Sequence, residues 1–193
     1  MHKSREKILI SAKALFHQSG FQRTSVDEIL KNSGVTKSNF YYHFKSKEEL
    51  GLIIIERFIK HYETDVLQKT LGNSSLRPSE RLVEFYNSVK TFHQDTQNPK
   101  GCPFGNLAIE MSGANENFRE KLSEFFNSWE RVIETCIKEG MSTGDFRSDL
   151  PPGVIAQLIL SHLEGAIMMV KTHRSLEPLS TGSETILRLL KAA

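Results

Sequence analysis

The chain of 193 residues is 38% hydrophobic and 25% charged, a composition typical of a globular protein with one or two domains rather than a fibrous or disordered chain. Its net charge of +2 hides an asymmetry. Residues 1–60 carry 11 Lys and Arg against six Asp and Glu, a net +5, whereas the remainder carries −3. A basic N-terminal part on a mildly acidic body is the pattern of a nucleic-acid-binding module on a larger domain, although a solvated surface gives the same balance.

Membrane, secretory and metal-binding patterns are not found. No uninterrupted apolar run reaches the roughly 18–20 residues that span a bilayer, and the best candidate, residues 154–170, contains four polar residues that indicate a buried helix. No apolar segment follows the charged N-terminus, so we expect no signal peptide, no membrane partner and a cytoplasmic location. Two cysteines, Cys102 and Cys136, form neither a disulfide framework nor a metal quartet, and we expect no metal and no cofactor.

Helical periodicity and capping residues predict an all-α chain of about nine helices, without a strand pattern or an internal repeat. A first helix with one apolar stripe ends near Gly20. Ser25 and Glu28 form a capping box that starts a second helix, and Gly34 ends it. Thr36 caps a short third helix after a turn of about four residues. Three helices in under about fifty residues, with this turn between the second and third, are typical of a helix-turn-helix.

Six further helices are predicted downstream. A long fourth helix over about residues 47–70 begins with a capping box of Ser46 and Glu49, and it is too long to belong only to a small three-helix head. The fifth to seventh helices have wide apolar faces. A proline pair opens an eighth helix that is apolar on most sides, and residues 181–184 are predicted to cap a short ninth.

In a helix-turn-helix the third helix lies in the major groove, and its first residues reach base edges. Lys37 can donate to guanine, and Asn39 can pair with adenine. The candidates for base contacts are Thr36, Lys37, Ser38 and Asn39, and the candidates for phosphate or thymine-methyl contacts are Thr24, Ser25, Tyr41, Tyr42, His43 and Lys47. Phe40 and Phe44, four residues apart, are predicted to anchor the helix from its buried side. Tyr41 is equally compatible with a core position.

The segment Thr24–Ile29, followed by Gly34–Leu50, resembles the signature of TetR-type transcriptional regulators. The length and the all-helical remainder also agree, so the resemblance covers the whole chain, although its first fifty or so residues carry it. The resemblance implies a DNA-binding domain over residues 1–47 and a ligand-binding and dimerisation domain over residues 48–193. The last two long helices of this C-terminal domain would pair with those of a second copy of the chain. Ser38 stands where many members have Gly, and its hydroxyl can add a base contact.

A small-molecule site is expected in the regulatory domain. The candidate residues are Phe85, Phe92, Cys102, Phe125, Trp129, His162 and Met168, each of which is also compatible with a core role. Cys102 lies at the predicted start of the sixth helix, where the helix dipole favours a thiolate. The surrounding segment, residues 101–106, resembles a subgroup of these regulators in which a cysteine senses electrophiles or oxidants, and the alternative is a small buried thiol. Cys136 is expected to be inert.

These patterns predict a homodimeric repressor that binds a palindromic double-stranded DNA operator. A small-molecule or electrophile inducer would release it by shifting a conformational equilibrium. One alternative is an architectural DNA-binding protein without ligand response. The other is an enzyme with a basic helical head. The chain lacks a Gly-x-Ser-x-Gly motif, a glycine-rich phosphate loop and metal-ligand spacing, so we do not expect an enzyme.

Overall fold

The computed structural model describes residues 2–95, 97 and 99–191, and it confirms the all-α architecture. Within these residues lie nine α-helices and one π-helical segment, Glu63–Leu67, and the sole β-type pairing is an isolated bridge between Phe146 and Lys191. The helices are α1 (His2–Ser19), α2 (Val26–Ser33), α3 (Lys37–His43), α4 (Lys47–Tyr62), α5 (Pro78–Phe92), α6 (Pro103–Met111), α7 (Glu116–Thr143), α8 (Pro152–His173) and α9 (Glu177–Leu190). The π-helical segment directly continues α4.

Local capping sets the boundaries of the helix-turn-helix as predicted. The Ser25 hydroxyl accepts a hydrogen bond from the N–H of Glu28 at 3.2 Å, and the Glu28 carboxylate accepts one from the N–H of Ser25 at 2.7 Å. The Ser25 hydroxyl also donates to this carboxylate at 2.9 Å, and the two bonds that the carboxylate accepts from Ser25 lower the pKa of Glu28. Gly34 ends α2 with φ 65°, a left-handed conformation that favours glycine. The Thr36 hydroxyl accepts from the N–H of Asn39 at 3.4 Å and so caps α3.

The described residues divide into two compact units. The head unit comprises the residues up to Lys60 together with Pro103–Leu122, and the body unit comprises His61–Cys102 together with the residues from Ser123 onward. The head unit therefore includes α6 and the start of α7, although both lie in the middle of the chain. The division into a DNA-binding domain over residues 1–47 and a regulatory domain over residues 48–193 remains a prediction about function.

The core of the head unit holds α3 in place. Its buried residues are Ile8, Leu9, Ala12, Ile29, Phe40, Phe44, Leu50 and Ile54. Phe40 and Phe44 are buried as predicted, with ring centroids 5.7 Å apart. Burial of each ring contributes roughly 1.5–3 kcal/mol. Because these two rings fix one side of α3 in the core, the opposite side faces solvent.

The body unit is built around α8 and α9, which pack on each other, with α5 against α9. Of the described helices, α8 alone is long and apolar enough to cross a membrane, judged by length and composition. Eight of its residues are buried within the chain, so α8 is a core helix of this unit. The predicted start of α9 is wrong. The helix begins at Glu177, and Gly182 lies inside it against the ring of His162, a contact that only the pairing of α8 with α9 creates.

Candidate DNA-binding surface and effector site

The exposed side of α3 carries the predicted base-reading residues. Thr36, Lys37 and Ser38 are exposed and Asn39 is half-buried. The hydroxyls of Thr36 and Ser38 lie 3.2 Å apart at the N-terminal end of the helix. Lys37 forms no ion pair with another described residue, which leaves its ammonium group available to an acceptor on DNA.

The two tyrosines of α3 are also on the surface. Tyr41 is 51% exposed and Tyr42 is 66% exposed. The ring of Tyr41 makes an edge-on contact with that of Phe40, at a centroid distance of 5.2 Å. Both hydroxyls are therefore in a position to donate to phosphate oxygens, and the core alternative for Tyr41 is wrong.

Two of the predicted phosphate contacts instead hold the turn between α1 and α2. The Thr24 side chain is 1% exposed, and its hydroxyl donates to the carbonyl of Gly20 at 2.8 Å. The Lys47 ammonium group donates to the carbonyls of Phe21 and Thr24, both at 3.1 Å, and to that of Gln22 at 3.4 Å. It also lies 4.6 Å from the centroid of the Phe21 ring. All three donors of Lys47 are used within the chain, so it is a structural cation.

Residues of α6 and α7 also hold this turn, within the head unit. The Glu110 carboxylate accepts hydrogen bonds from the backbone N–H of Phe21 at 2.9 Å and of Gln22 at 2.7 Å, and the Gln22 side chain donates to the Glu110 carbonyl at 2.8 Å. The centroids of the Phe21 and Phe118 rings lie 4.9 Å apart. Gly51 of α4 lies close to the Phe21 ring, because a Cβ added to it would be 2.6 Å from a carbon of that ring. The sequence contained no local signal for these contacts, because the bonded partners are 88 and 89 residues apart.

Of the remaining polar residues around α3, some are exposed and could contact DNA, and others are engaged or buried within the chain. Arg23 precedes α2 and Lys45 follows α3. Both are exposed and form no ion pair with a described residue, so they are candidate phosphate contacts that only the charge asymmetry had indicated. Ser25 is exposed, but its hydroxyl is engaged with Glu28. The Nε2 of His43 is buried without a hydrogen-bond partner among the described residues, so this atom does not face DNA.

Aromatic residues of α4, α5 and α7 form an aromatic cluster in the body unit: the half-buried Tyr62 and the buried Phe85, Tyr86, Phe125 and Trp129. The ring centroid of Trp129 lies 4.9 Å from Tyr62, 5.6 Å from Phe125 and 6.0 Å from Phe85. The structure thus brings together three residues predicted for the ligand site. It adds Tyr62 and Tyr86, whose helical spacing had indicated only an apolar face.

Four polar atoms of the body unit are buried without a hydrogen-bond partner among the described residues: Trp129 Nε1, the Tyr86 hydroxyl, His162 Nδ1 and Glu164 Oε1. Burial raises the pKa of the Tyr86 hydroxyl. Burial, with smaller contributions from Cys102 and Glu164, also raises the pKa of Tyr62. A buried polar group without a partner costs about 1–3 kcal/mol, so these atoms are suited to bind water or a small ligand.

The two cysteines have different surroundings. Cys102 is 7% exposed and lies directly before α6. Burial raises the pKa of Glu164, and a hydrogen bond with the Cys102 side chain opposes part of that rise. The Cys136 thiol donates to the carbonyl of Pro78 at 3.5 Å, and burial raises its pKa to about 12. The described residues contain no group of three or more His, Cys, Asp or Glu that could hold a metal ion.

Three other residues predicted for the ligand site lie outside the aromatic cluster. Phe92, the last residue of α5, is 56% exposed, and Met168 of α8 is 53% exposed. The ring of His162 packs against Gly182 of α9, and burial lowers its pKa. Their assignment to the ligand site remains a prediction, because the periodicity of a helix that is apolar on most sides does not show which side faces the core.

Comparison with known proteins agrees with this architecture. Residues 8–52 match the family model described as "Bacterial regulatory proteins, tetR family", and residues 78–186 match the one described as "Tetracyclin repressor-like, C-terminal domain". The chain belongs to the tetR family and is a DNA-binding transcriptional regulator.

Individual relatives support the same assignment. The HTH-type transcriptional repressor DhaR of Mycobacterium sp. (strain GP1) is 30% identical over 175 residues, covering 91% of this chain and 86% of that protein. The HTH-type transcriptional repressor NemR of Escherichia coli (strain K12) is 28% identical over 183 residues, covering 92% and 89%. The crystal structure of regulatory protein TetR from Rhodobacter sphaeroides has a TM-score of 0.87 at 27% identity, over 97% of this chain and 98% of that one. The crystal structure of E. coli NemR in its reduced form has a TM-score of 0.89 at 24% identity, over 98% of both chains. This second match shows similarity of fold.

Proposed function

We propose that this regulator is a homodimeric repressor that reads a palindromic operator with α3. We further propose that a small molecule or an electrophile acting on the body unit releases it. The main support for operator binding by α3 is that one side of this helix is buried and the other side is exposed. Phe40 and Phe44 are buried, while Lys37, Ser38 and Tyr42 are exposed on the same short helix. A helix held in this way presents its free side to the major groove.

We assign the base contacts and the phosphate contacts to different residues. Lys37 is assigned to guanine O6 and N7, and Asn39 to adenine N6 and N7, with the Thr36 and Ser38 hydroxyls beside them. The phosphate contacts are assigned to Tyr41, Tyr42, Arg23 and Lys45, whereas both donors of Ser25 are used by the Glu28 carboxylate. Such phosphate contacts position the protein without carrying sequence information.

The exposed apolar face of α8 supports dimerisation. The large apolar residues exposed on α8 and α9 are Val154, Leu158, Met168, Met169 and Leu189. Val154 and Leu158 are one helical turn apart, and Met168 lies about three turns beyond Leu158, so the three share one side of α8. Apolar surface of this kind marks an interface, and a second copy about a two-fold axis would place two α3 helices against half-sites about 34–36 Å apart.

The effector is assigned to the aromatic cluster, with Cys102 as the sensor if the effector is an electrophile or an oxidant. Two helices run without a break from one unit into the other: α4 at residues 60–61 and α7 at residues 122–123. An effector that prefers one form of the body unit therefore changes the spacing of the two α3 helices and shifts the population away from DNA. Such a regulator acts in the cytoplasm, where bacterial DNA lies.

The test begins with selection of bound sequences from random double-stranded DNA, followed by affinity measurements on the selected operator. Lys37→Ala is expected to weaken binding about tenfold or more, since a bidentate base contact contributes about 1–3 kcal/mol. Tyr42→Ala is expected to weaken binding to the same extent on every sequence, because it removes a phosphate contact. Lys171→Ala, an exposed lysine of α8, is the control and should leave the affinity unchanged. Full affinity in Lys37→Ala would refute the contact assignment. Sequence-blind binding with steep salt dependence would favour the architectural alternative.

A further inference from the structure

Arg5 of α1 lies against the end of α3, within the head unit. Its guanidinium carbon is 5.5 Å from the centroid of the Phe44 ring, which is within the range of a cation–π contact. Phe44 is the residue that ends α3, and its ring is buried. Arg5 lies about one turn before the buried Ile8 and Leu9, so it is on the side of α1 that packs on α2 and α3. The head unit therefore holds a cation beside the helix assigned to DNA.

The charge of Arg5 is not neutralised within the part of the chain that the structure describes. Arg5 is half-buried and forms no ion pair with a described residue. The carboxylate of Glu6, the next residue, pairs instead with Arg57 at 3.0 Å. The carboxylate of Glu49, beyond the end of α3, accepts a hydrogen bond from the backbone N–H of Lys45 at 2.5 Å. The guanidinium group of Arg5 is thus available to an acceptor outside the chain.

The position of Arg5 along α3 indicates which part of DNA it can reach. α3 has seven residues, so it is about 10 Å long. The residues assigned to base contacts lie at its N-terminal end, whereas Phe44 lies at its C-terminal end. The major groove of B-DNA is about 12 Å wide. When the N-terminal end of α3 is inside the groove, the C-terminal end is therefore close to the edge of the groove, where the phosphates lie.

We propose that Arg5 binds a phosphate group of the operator backbone, with the Phe44 ring holding its guanidinium group in place. This inference rests on the proposed reading of the operator by α3. A guanidinium group that stacks on an aromatic ring keeps its N–H edge free, and this planar edge matches two oxygens of a phosphate. Arg5 positions α1 and α3 on the DNA without reading its sequence.

The first experiment measures the operator affinity of the full-length protein at several salt concentrations by fluorescence anisotropy. Arg5→Gln is expected to reduce the slope of log affinity against log salt by about 0.9 for each half-site, as loss of one phosphate contact does. An unchanged slope in Arg5→Gln overturns the inference, even if the affinity falls, because Arg5 then only supports α3.

Lys7→Gln is the matched control, because it removes the same charge from the same helix. Lys7 is exposed and lies two residues beyond Arg5, about 200° around the helix axis. Its variant should keep the wild-type slope. A slope reduced equally in Lys7→Gln and Arg5→Gln would reflect the overall charge of α1 and would overturn the assignment to Arg5.

A second experiment locates the phosphate. Each backbone phosphate of the selected operator is replaced in turn by an uncharged methylphosphonate, and the affinities of the wild type and Arg5→Gln are compared. At one phosphate in each half-site, the replacement should weaken binding of the wild type and have little further effect on Arg5→Gln. If both proteins lose the same factor at every phosphate, the inference is overturned.

Arg5→Lys tests the part assigned to Phe44. Lysine keeps the charge but has no planar group to stack on the ring or to bind two phosphate oxygens. This variant should keep the salt slope and lose part of the affinity. Equal affinity of Arg5→Lys and the wild type would refute the role of the stacked guanidinium group.

The outcomes separate this inference from the proposed function. If Lys37→Ala weakens binding while Arg5→Gln keeps the wild-type slope, α3 reads the operator and the role of Arg5 falls. If Arg5→Gln reduces the slope but the protein binds all sequences equally, Arg5 contacts phosphate and the reading of bases by α3 falls. If Arg5→Gln changes the selected sequence and not the slope, Arg5 contacts bases and the inference falls.

Discussion

The carboxylate of Glu110 on α6 accepts a hydrogen bond from the backbone N–H of Phe21, 89 residues earlier in the chain, at 2.9 Å. The neighbouring N–H of Gln22 donates to the same carboxylate at 2.7 Å. Two main-chain donors in the turn before α2 are thus satisfied by one side chain of α6. α6 itself begins at Pro103, directly after Cys102.

Glu110→Gln is expected to weaken operator binding about tenfold. A glutamine oxygen can replace the carboxylate for one N–H, but its amide group is a donor and cannot accept from the other. The turn then holds α2 and α3 less firmly, at a cost of about 1–2 kcal/mol. Fluorescence anisotropy with the selected operator measures the affinity, and thermal unfolding measures the stability. Glu116→Gln, which removes a surface pairing with Arg119, is the control and should change neither by much.

Lys47→Met is expected to lower stability and operator affinity together without altering the salt dependence of binding. The ammonium group bonds three main-chain carbonyls within the head unit, so its loss frees the turn rather than a phosphate. Lys45→Ala, by contrast, should reduce the slope of log affinity against log salt by about one, as loss of one phosphate contact does. Titrations at several salt concentrations distinguish the two. A reduced slope in Lys47→Met would return Lys47 to the DNA contacts.

Gly51→Ala is expected to destabilise the protein by about 1–3 kcal/mol, as overpacking of a core does. The added Cβ would lie 2.6 Å from the Phe21 ring and 2.8 Å from the Phe118 ring. Gly153→Ala is the matched helical control, since its Cβ would lie 3.6 Å from the nearest neighbouring atom, an ordinary contact. Urea unfolding of both variants tests the difference. Equal midpoints would show that the aromatic rings move aside without cost.

Leu158→Glu is expected to convert the dimer to a monomer and to abolish tight operator binding. Its side chain is 56% exposed on the apolar face of α8, where a charge buried against a second copy would lack a partner. Val83→Glu alters another exposed apolar residue, on α5, and should leave the assembly intact. Analytical ultracentrifugation reports the mass of each variant. A dimeric Leu158→Glu would place the interface elsewhere.

The stability of the wild type relative to Glu164→Gln is expected to fall as the pH rises. Burial raises the native pKa of Glu164 above its ordinary value of 4.5, so the folded protein holds this proton more tightly than the unfolded chain does. The stabilising contribution is fully present below about pH 4.5 and is lost as the pH rises through the native pKa. Urea unfolding at about pH 5 and about pH 8 measures the difference, with Glu184→Gln as control. A pH-independent difference would contradict the raised pKa.

Short-range patterns made much of this protein predictable from its sequence. The capping box of Ser25 and Glu28, the left-handed Gly34 and the cap at Thr36 each involve residues within about four positions, so the sequence alone determines them. The spacing of Phe40 and Phe44 likewise determines which side of α3 is buried. The helical class, the helix-turn-helix and the family follow from these local preferences.

Only the tertiary structure decided which polar groups are free to act. Thr24 and Lys47 resembled DNA contacts in the sequence, but both are bonded to carbonyls of the turn before α2. Glu110 had no local signal, because its partners lie on a distant part of the chain. The physical reason is that a donor binds whichever acceptor the fold brings within about 3 Å. In the body unit, the fold in the same way brings the Cys136 thiol within 3.5 Å of the Pro78 carbonyl, 58 residues away in the sequence.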